Sequence, residues 1–207
     1  MKNTYRDLIE QTFYFPQEGF EVIDNQLHFY GIDLMEIIKQ YGTPLKINYL
    51  PKIGSQIKKA KRIFNVAIAK ADYKGSYTYC YCTKSSHFSF VLHEVLKHDV
   101  HLETSSAFDI PIIRSLYQEK KIDKNIYIVC NGYKRPQYIQ YISELINDGF
   151  ENVIPVLDNM NELPLYEKKI KGRKKVKVGI RIAAGEEPNF EFYTSRLGIR
   201  YDEIHDY

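Results

Sequence analysis

Residues 76–84, Ser-Tyr-Thr-Tyr-Cys-Tyr-Cys-Thr-Lys, alternate between tyrosine and a smaller residue through most of their length. Successive side chains of a β-strand point to opposite faces, so the three tyrosines share one face of a predicted strand over 76–83. The other face carries the smaller residues and the lysine, namely Thr78, Cys80, Cys82 and Lys84. We predict that the tyrosines face a layer of helices and that the small residues fill the narrow interior of a parallel barrel. Lys84 then lies at the rim of that interior.

Helices and strands alternate after this stretch. Apolar residues at helical spacing also predict a helix over 52–71 just before it. The later predicted strands cover 100–103, 126–130, 153–157 and 175–183, and the predicted helices cover 88–97, 107–119, 135–148 and 159–168. This alternation is typical of an α/β protein with a parallel sheet. No Gly-x-Gly-x-x-Gly segment follows a strand, which disfavours a dinucleotide-binding fold.

The length of the chain limits how much of a barrel it can form. A closed barrel of eight strands and eight helices takes about 250 residues, whereas this chain has 207. We predict that residues 51–207 form part of a TIM-type (β/α)8 barrel, with about five of its eight strands. The last of them, 175–183, would be left as an exposed sheet edge. Residues 1–50 are predicted to be a lead-in with a hairpin around Asp24-Asn25, a helix over 32–40 and a strand over 45–49.

Composition excludes several classes of partner. The net charge is +3, and no apolar run approaches the roughly 20 residues that cross a bilayer, so no membrane partner is predicted.

A basic run at 168–175 is expected to be a solvated loop. A nucleic-acid-binding module is the alternative, but the run lacks interleaved aromatic residues and no nucleic acid is predicted. Three cysteines predict reduced thiols and no metal. The first residues lack the apolar core of a signal peptide, which predicts a cytoplasmic location.

Three charged residues lie at the ends of predicted strands, where a parallel barrel carries its reactive groups. Lys84 could form a Schiff base if partial burial lowers its pKa, and the alternative is a solvated lysine. Arg181 faces the predicted interior, where it holds an anion or forms a structural ion pair with Glu103 or Asp158. Glu103 precedes a predicted helix cap but takes no part in it, so it is free to contact a ligand.

Six segments in chain order carry a resemblance to a known family. They resemble motifs of the pyridoxal-phosphate-dependent decarboxylases of arginine, ornithine and diaminopimelate, whose barrel is shared with alanine racemase. The segments are Tyr41–Leu45, Tyr81–Lys84, Leu102–Asp109, Cys130–Lys134, Gly179–Ile182 and Ser195–Ile199. The Asn-Gly-Tyr-Lys element within Cys130–Lys134 is typical of biosynthetic arginine decarboxylases. Ser105 and Arg196 depart from the family pattern, which has glycine and lysine there.

The resemblance implies an activity and a site. Lys84 would bind pyridoxal 5'-phosphate, Glu103 and Arg181 would contact that cofactor, and the small-molecule substrate would be a basic amino acid. Decarboxylation of arginine to agmatine, a step in polyamine biosynthesis, is the expected reaction. Ornithine or diaminopimelate as substrate, or a non-catalytic pyridoxal-phosphate-binding or regulatory remnant, are the alternatives. The resemblance also implies that the full-length form is a homo-oligomer.

Several later family elements are not found before Tyr207. They are a histidine on the next strand, a glycine-rich phosphate loop, a Glu-Pro-Gly-Arg segment and a C-terminal β-domain. We therefore expect this sequence to be an N-terminal fragment that is inactive by itself and tends to aggregate.

Overall fold

A computed structural model describes residues 18–159, 161–172, 175–183 and 197–199. Residues 1–17 of the predicted lead-in, Arg173 and Lys174 of the basic run, and Ser195 and Arg196 of the last motif lie outside the described residues. The chain divides into two compact units between Tyr49 and Leu50.

The first unit contains a small antiparallel sheet and one helix. Strands β1 (Phe20–Ile23), β2 (Gln26–Phe29) and β3 (Ile32–Asp33) are neighbours in that order. Asp24 and Asn25 have φ angles of 49° and 62°, a left-handed conformation that these residue types tolerate in a two-residue hairpin turn. The Asp33 carboxylate accepts the N–H of Met35 at 2.7 Å and caps helix α1 (Leu34–Tyr41). The predicted hairpin and helix are thus confirmed.

The strand predicted over 45–49 is wrong. These residues pair with no neighbour in the described part of the chain. Leu45 and Ile47 are exposed, and the ring of Tyr49 stacks on Tyr30 with 3.8 Å between centroids. A run of apolar residues becomes a strand only where a partner supplies the ladder of hydrogen bonds.

The second unit is a parallel sheet in which neighbours along the chain are neighbours in space. Its order is β4 (Cys80–Cys82), β5 (His101–Thr104), β6 (Tyr127–Cys130), β7 (Asn152–Leu157) and β8 (Gly179–Ile180). Helix α2 (Pro51–Lys70) precedes β4. Helices α3 (Ser89–Leu96), α4 (Asp109–Gln118), α5 (Pro136–Asn147) and α6 (Leu163–Lys169) alternate with the strands. This is the arrangement of consecutive units of a (β/α)8 barrel, so the predicted fold class is confirmed.

The two faces of this sheet are buried to different degrees. Alternate strand residues belong to the main hydrophobic core together with the helices; they are Leu102, Ile128, Cys130, Val153 and Leu157. The residues between them, such as Glu103 and Val129, are only half-buried. The sequence 126–130 has no charged residue, which predicts a strand buried on both faces. That prediction is wrong, because only alternate residues of β6 are fully buried. The half-buried side chains form what we call the inner face of the sheet.

The outermost strands are shorter than predicted. The strand predicted over 76–83 is paired only at Cys80–Cys82, because its single neighbour β5 has just four residues. The strand predicted over 175–183 pairs with β7 at Gly179–Ile180. Beyond that point Ile182 forms a parallel bridge to Ile199.

The far edge of β8 is covered where this bridge forms. The N–H of Ala183 donates to the Ile199 carbonyl at 2.9 Å, and the N–H of Ile199 donates to the Arg181 carbonyl at 2.7 Å. Gly198 has a φ of 102°, and a Cβ there would lie 2.9 Å from the Ala183 nitrogen, so this close approach requires glycine. The prediction that 175–183 is an exposed sheet edge is thus wrong for the residues around Arg181, which pair with Ile199.

No helix in the described ranges is both long and apolar enough to cross a membrane.

Candidate active site

The carboxyl ends of the five parallel strands meet at one edge of the sheet. Each end carries a polar side chain, and these are Lys84, Glu103, Asn131, Asp158 and Arg181. In parallel α/β folds this edge holds the ligand. The three residues predicted from sequence, Lys84, Glu103 and Arg181, all lie there. No hydrogen bond or ion pair joins any two of these three side chains in the described part of the chain.

Lys84 lies in a tight turn that its neighbours hold in place. The turn is a single 3₁₀ turn over Thr83–Ser85, so the strand alternation assumed for Lys84 stops at Cys82. Thr83 is buried and its hydroxyl donates to the Glu103 carbonyl at 3.1 Å, and the Ser85 hydroxyl donates to the Cys82 carbonyl at 2.7 Å. Lys84 between them is exposed. Within the described part of the chain no hydrogen bond or ion pair engages its ammonium group, so the amine is available to a ligand.

Glu103 is the centre of a small polar cluster on the inner face. Its Oε1 accepts the Asn131 amide at 3.3 Å and the Cys82 thiol at 3.7 Å. Burial and the Glu103 charge raise the pKa of Cys80 and of Cys82, while the backbone and charge of Lys84 pull the pKa of Cys82 the other way. The thiols are therefore neutral at physiological pH, and the carboxylate keeps its acceptor role.

Asn131 is held by the loop that follows β6. Its N–H donates to the Thr104 carbonyl at 2.8 Å and its side-chain oxygen accepts the Gly132 N–H at 2.9 Å. Gly132 has a φ of 80°, and a Cβ there would lie 2.7 Å from the Ser105 carbonyl oxygen, so this position requires glycine. The loop after β5 and the loop after β6 thus touch through backbone atoms.

The loop after β5 is fixed by Asp109. Its buried carboxylate accepts the N–H groups of Ser105 and Ser106 at 2.8 and 2.9 Å, and both hydroxyls as well. The capping box predicted over Ser106–Asp109 is only half formed, because Asp109 accepts the Ser106 N–H but the Asp109 N–H donates to the Ser106 carbonyl and not to its hydroxyl. The helix begins at Asp109, and Phe108 before it makes no side-chain cap hydrogen bond. Glu103, just before this loop, is left out of the capping box, as predicted.

Arg181 forms an ion pair with Asp158. The guanidinium lies 3.6 Å from the Asp158 carboxylate, whose side chain is 2% exposed, while 37% of the Arg181 side chain is exposed. Of the two structural partners considered for Arg181, the structure selects Asp158 and not Glu103.

Lys134 is a member of this edge that the sequence analysis missed. It is 4% exposed, and its ammonium donates to the carbonyls of Gly132 and Val156. Burial lowers the pKa of Lys134, and the negative charges of Glu162 and Asp158 oppose that shift. Lys134 is the last residue of the Asn-Gly-Tyr-Lys motif, so the motif could have pointed to it. The motif indicates a family, however, and not the burial of this lysine.

Comparison with known proteins identifies what this arrangement resembles. No family model matches the chain. A biosynthetic arginine decarboxylase of Bacteroides thetaiotaomicron is 26% identical over 161 residues, which are 73% of this chain and 25% of that protein. One from Vibrio vulnificus is 28% identical over 185 residues, covering 80% and 28%. This chain is similar to the biosynthetic arginine decarboxylases. It spans about a quarter of the length of these curated relatives.

Solved structures agree on the fold. The biosynthetic arginine decarboxylase of Campylobacter jejuni superposes with a TM-score of 0.59 and 19% identity, covering 79% of this chain and 29% of its own. The diaminopimelate decarboxylase of M. jannaschi superposes with a TM-score of 0.68 and 18% identity, covering 90% and 42%. The resemblance predicted from the six sequence segments is confirmed.

Proposed function

We propose that this chain provides the lysine-bearing part of a pyridoxal-phosphate-dependent decarboxylase that converts arginine to agmatine in polyamine biosynthesis. The observation that carries the proposal is the exposed amine of Lys84, which none of the described residues engages, at the carboxyl end of the first strand of a barrel-type sheet. Arginine is preferred as substrate because the curated relatives described above are named arginine decarboxylases. The substrate would be a basic amino acid, and the full-length form would be a homo-oligomer, as the resemblance implies. The proposed location is the cytoplasm.

The residues at the edge fit the cofactor that the family implies. A primary amine on a fixed turn can bond to an aldehyde carbon, provided that it is accessible and not tied up in an ion pair. Lys84 meets both conditions. Glu103 would line the site on the adjacent strand, and Arg181 would donate hydrogen bonds to oxygen atoms of the ligand. When bound, pyridoxal phosphate supplies an electron-accepting ring that allows the α-carboxylate of the substrate to leave as carbon dioxide.

Borohydride reduction after incubation with a limiting amount of pyridoxal phosphate tests the site. Mass-spectrometric peptide mapping should recover the reduced adduct on Lys84, and Lys84→Arg should abolish that adduct. Lys97→Arg is the matched control, because Lys97 is an exposed lysine that pairs with Glu94 at 2.7 Å. A dominant adduct on any other lysine would refute the assignment.

Substrate choice needs a separate assay. Release of carbon dioxide from arginine, ornithine and diaminopimelate should be compared with the protein purified from its own cells. The proposal predicts that arginine has the highest kcat/KM. Release from none of the three, together with cofactor on Lys84, would favour the non-catalytic pyridoxal-phosphate-binding alternative.

A further inference from the structure

The carboxylate of Asp158 is buried without a hydrogen bond. Neither oxygen is accessible to solvent, and neither accepts a hydrogen bond from any described residue. An ionised carboxylate in that position costs several kcal/mol unless cations compensate it. Two cations lie beside this carboxylate and can compensate its charge, namely Arg181 and Lys134.

Arg181 extends from a fixed backbone toward this carboxylate. Its N–H donates to the Leu157 carbonyl at 3.0 Å and its carbonyl accepts the Ile199 N–H at 2.7 Å. One guanidinium nitrogen lies 3.6 Å from Asp158, just beyond hydrogen-bond range. A guanidinium has five N–H donors, so the pair uses only part of its capacity. The side chain is 37% exposed, and no hydrogen bond to the other donors is formed by the described residues.

Lys134 supplies the second positive charge. Two backbone carbonyls fix its ammonium group, and it interacts electrostatically with both Asp158 and Glu162. Glu162 is engaged elsewhere, because its carboxylate accepts the Asp158 N–H at 3.2 Å and the Asn159 amide at 3.1 Å. The side chain left to bind Arg181 is therefore Asp158, whose carboxylate lies 3.6 Å from the guanidinium.

We propose that Asp158 is a positioning residue that holds the guanidinium of Arg181 at the carboxyl edge of the sheet, so that its remaining N–H groups face an oxygen of the ligand bound at Lys84. The inference rests on the proposed function for the identity of that ligand. The competing explanation is that the pair only stabilises the end of β8. In that case its loss would change stability but not ligand binding.

The first test follows the Arg181 side chain directly by NMR. The guanidinium Nη–H signals of Arg181, assigned by their loss in Arg181→Lys, should exchange with solvent about tenfold faster in Asp158→Asn, because the opposite charge 3.6 Å from Nη1 is lost. Asp158→Glu keeps the charge and should restore part of the protection. Asp148→Asn is the matched control. It removes the exposed partner of Arg114 at 2.7 Å and should leave the Arg181 signal unchanged. An unchanged Arg181 signal in Asp158→Asn overturns the proposal.

The second test is a double-mutant cycle on the affinity for pyridoxal phosphate. Asp158→Asn and Arg181→Lys should each weaken cofactor binding about tenfold, and the double variant should bind no more weakly than Arg181→Lys alone, because Asp158 acts through Arg181. Arg181→Lys keeps the positive charge, so it also serves if Asp158→Asn unfolds. Native affinity in Asp158→Asn, or additive effects, would overturn the positioning role and leave the proposed function intact. Failure of the native chain to trap the cofactor on Lys84 would overturn the proposed function, and the NMR result alone would then decide whether Asp158 holds Arg181.

Discussion

The two halves of the carboxyl edge hold their polar side chains in different ways. At the β4–β6 end, defined as Cys82, Lys84, Glu103 and Asn131, the groups are half-buried or exposed, and single hydrogen bonds to Glu103 link two of them. At the β7–β8 end, defined as Lys134, Asp158, Glu162 and Arg181, three of the four side chains are buried. One end presents an accessible amine, and the other holds charges that depend on one another. Exposed and buried charged side chains are thus found at different strands of one sheet.

The largest expected effect is the loss of the buried cation at the β7–β8 end. Lys134→Met leaves two carbonyls unpaired and removes the buried positive charge beside Glu162 and Asp158, so the free energy of unfolding should fall by about 3–5 kcal/mol. Lys124→Met is a close control, because Lys124 also donates to a carbonyl, that of Asp148 at 2.6 Å, and also lies over a tyrosine ring. Lys124 is more exposed, and the control should lose about 1 kcal/mol or less. Chemical denaturation measures both, and similar losses would contradict the contrast.

Next in size is the backbone contact that supports the β4–β6 end. Gly132→Ala should destabilise the protein by about 1–3 kcal/mol, because it combines a left-handed φ with a Cβ that meets the Ser105 carbonyl. Gly172 has a similar φ of 76° but nothing within 4 Å of its Cβ position. Gly172→Ala therefore isolates the cost of the φ angle alone, about 1 kcal/mol. Equal losses of unfolding free energy in the two variants would show that the contact with Ser105 is unimportant.

A smaller effect concerns thiol reactivity. Glu103 raises the pKa of Cys80 and Cys82, so Glu103→Gln should lower both pKa values and speed their alkylation by iodoacetamide at pH 8 by about two- to tenfold. Cys130, whose pKa burial raises to about 11, should react slowly in both proteins. Glu119→Gln, a change in a carboxylate that contacts His93 and Ser115, should change none of the three rates. Unchanged rates at Cys82 in Glu103→Gln would mean that its thiol does not sense the carboxylate.

The smallest expected effect is a pH dependence at the β7–β8 end. Burial raises the pKa of Glu162 above the ordinary carboxyl value, despite the opposing charge of Lys134. The folded state then binds the proton more tightly than the unfolded chain. This group's contribution to stability therefore grows as pH falls through the raised pKa and is complete below the ordinary value near 4.5. Glu162→Gln should remove this part of the slope of unfolding free energy against pH. An identical slope in the native protein and in the variant would contradict the assignment.

The sequence predicts the middle of the barrel unit better than its edges. Strands β5 to β7 and their helices follow from apolar periodicity, because each is packed on both sides by sequence neighbours. The extent of β4 and β8 depends on which of their residues come within pairing distance of a neighbouring strand, and the bridge from Ile182 to Ile199 depends on Gly198. Periodicity does not report such long-range pairing.

The location of the candidate site residues was partly predictable. Lys84, Glu103 and Arg181 lie at one edge because they end strands, and a parallel sheet brings strand ends together; their roles toward a ligand stay predictions. Lys134 could not be predicted there, since a lysine before a helix is usually exposed, and only the fold brings the Val156 carbonyl to its ammonium group. For Arg181, the sequence left two ion-pair partners open, Glu103 and Asp158, and the structure shows the pair with Asp158.

A crystal structure of the chain soaked with pyridoxal phosphate tests the central claim most directly. We predict continuous electron density from Nζ of Lys84 to the cofactor, with the cofactor at the carboxyl edge beside Glu103 and within hydrogen-bond reach of Arg181. Cofactor bonded to another lysine, or bound away from this edge, would contradict the assignment of Lys84.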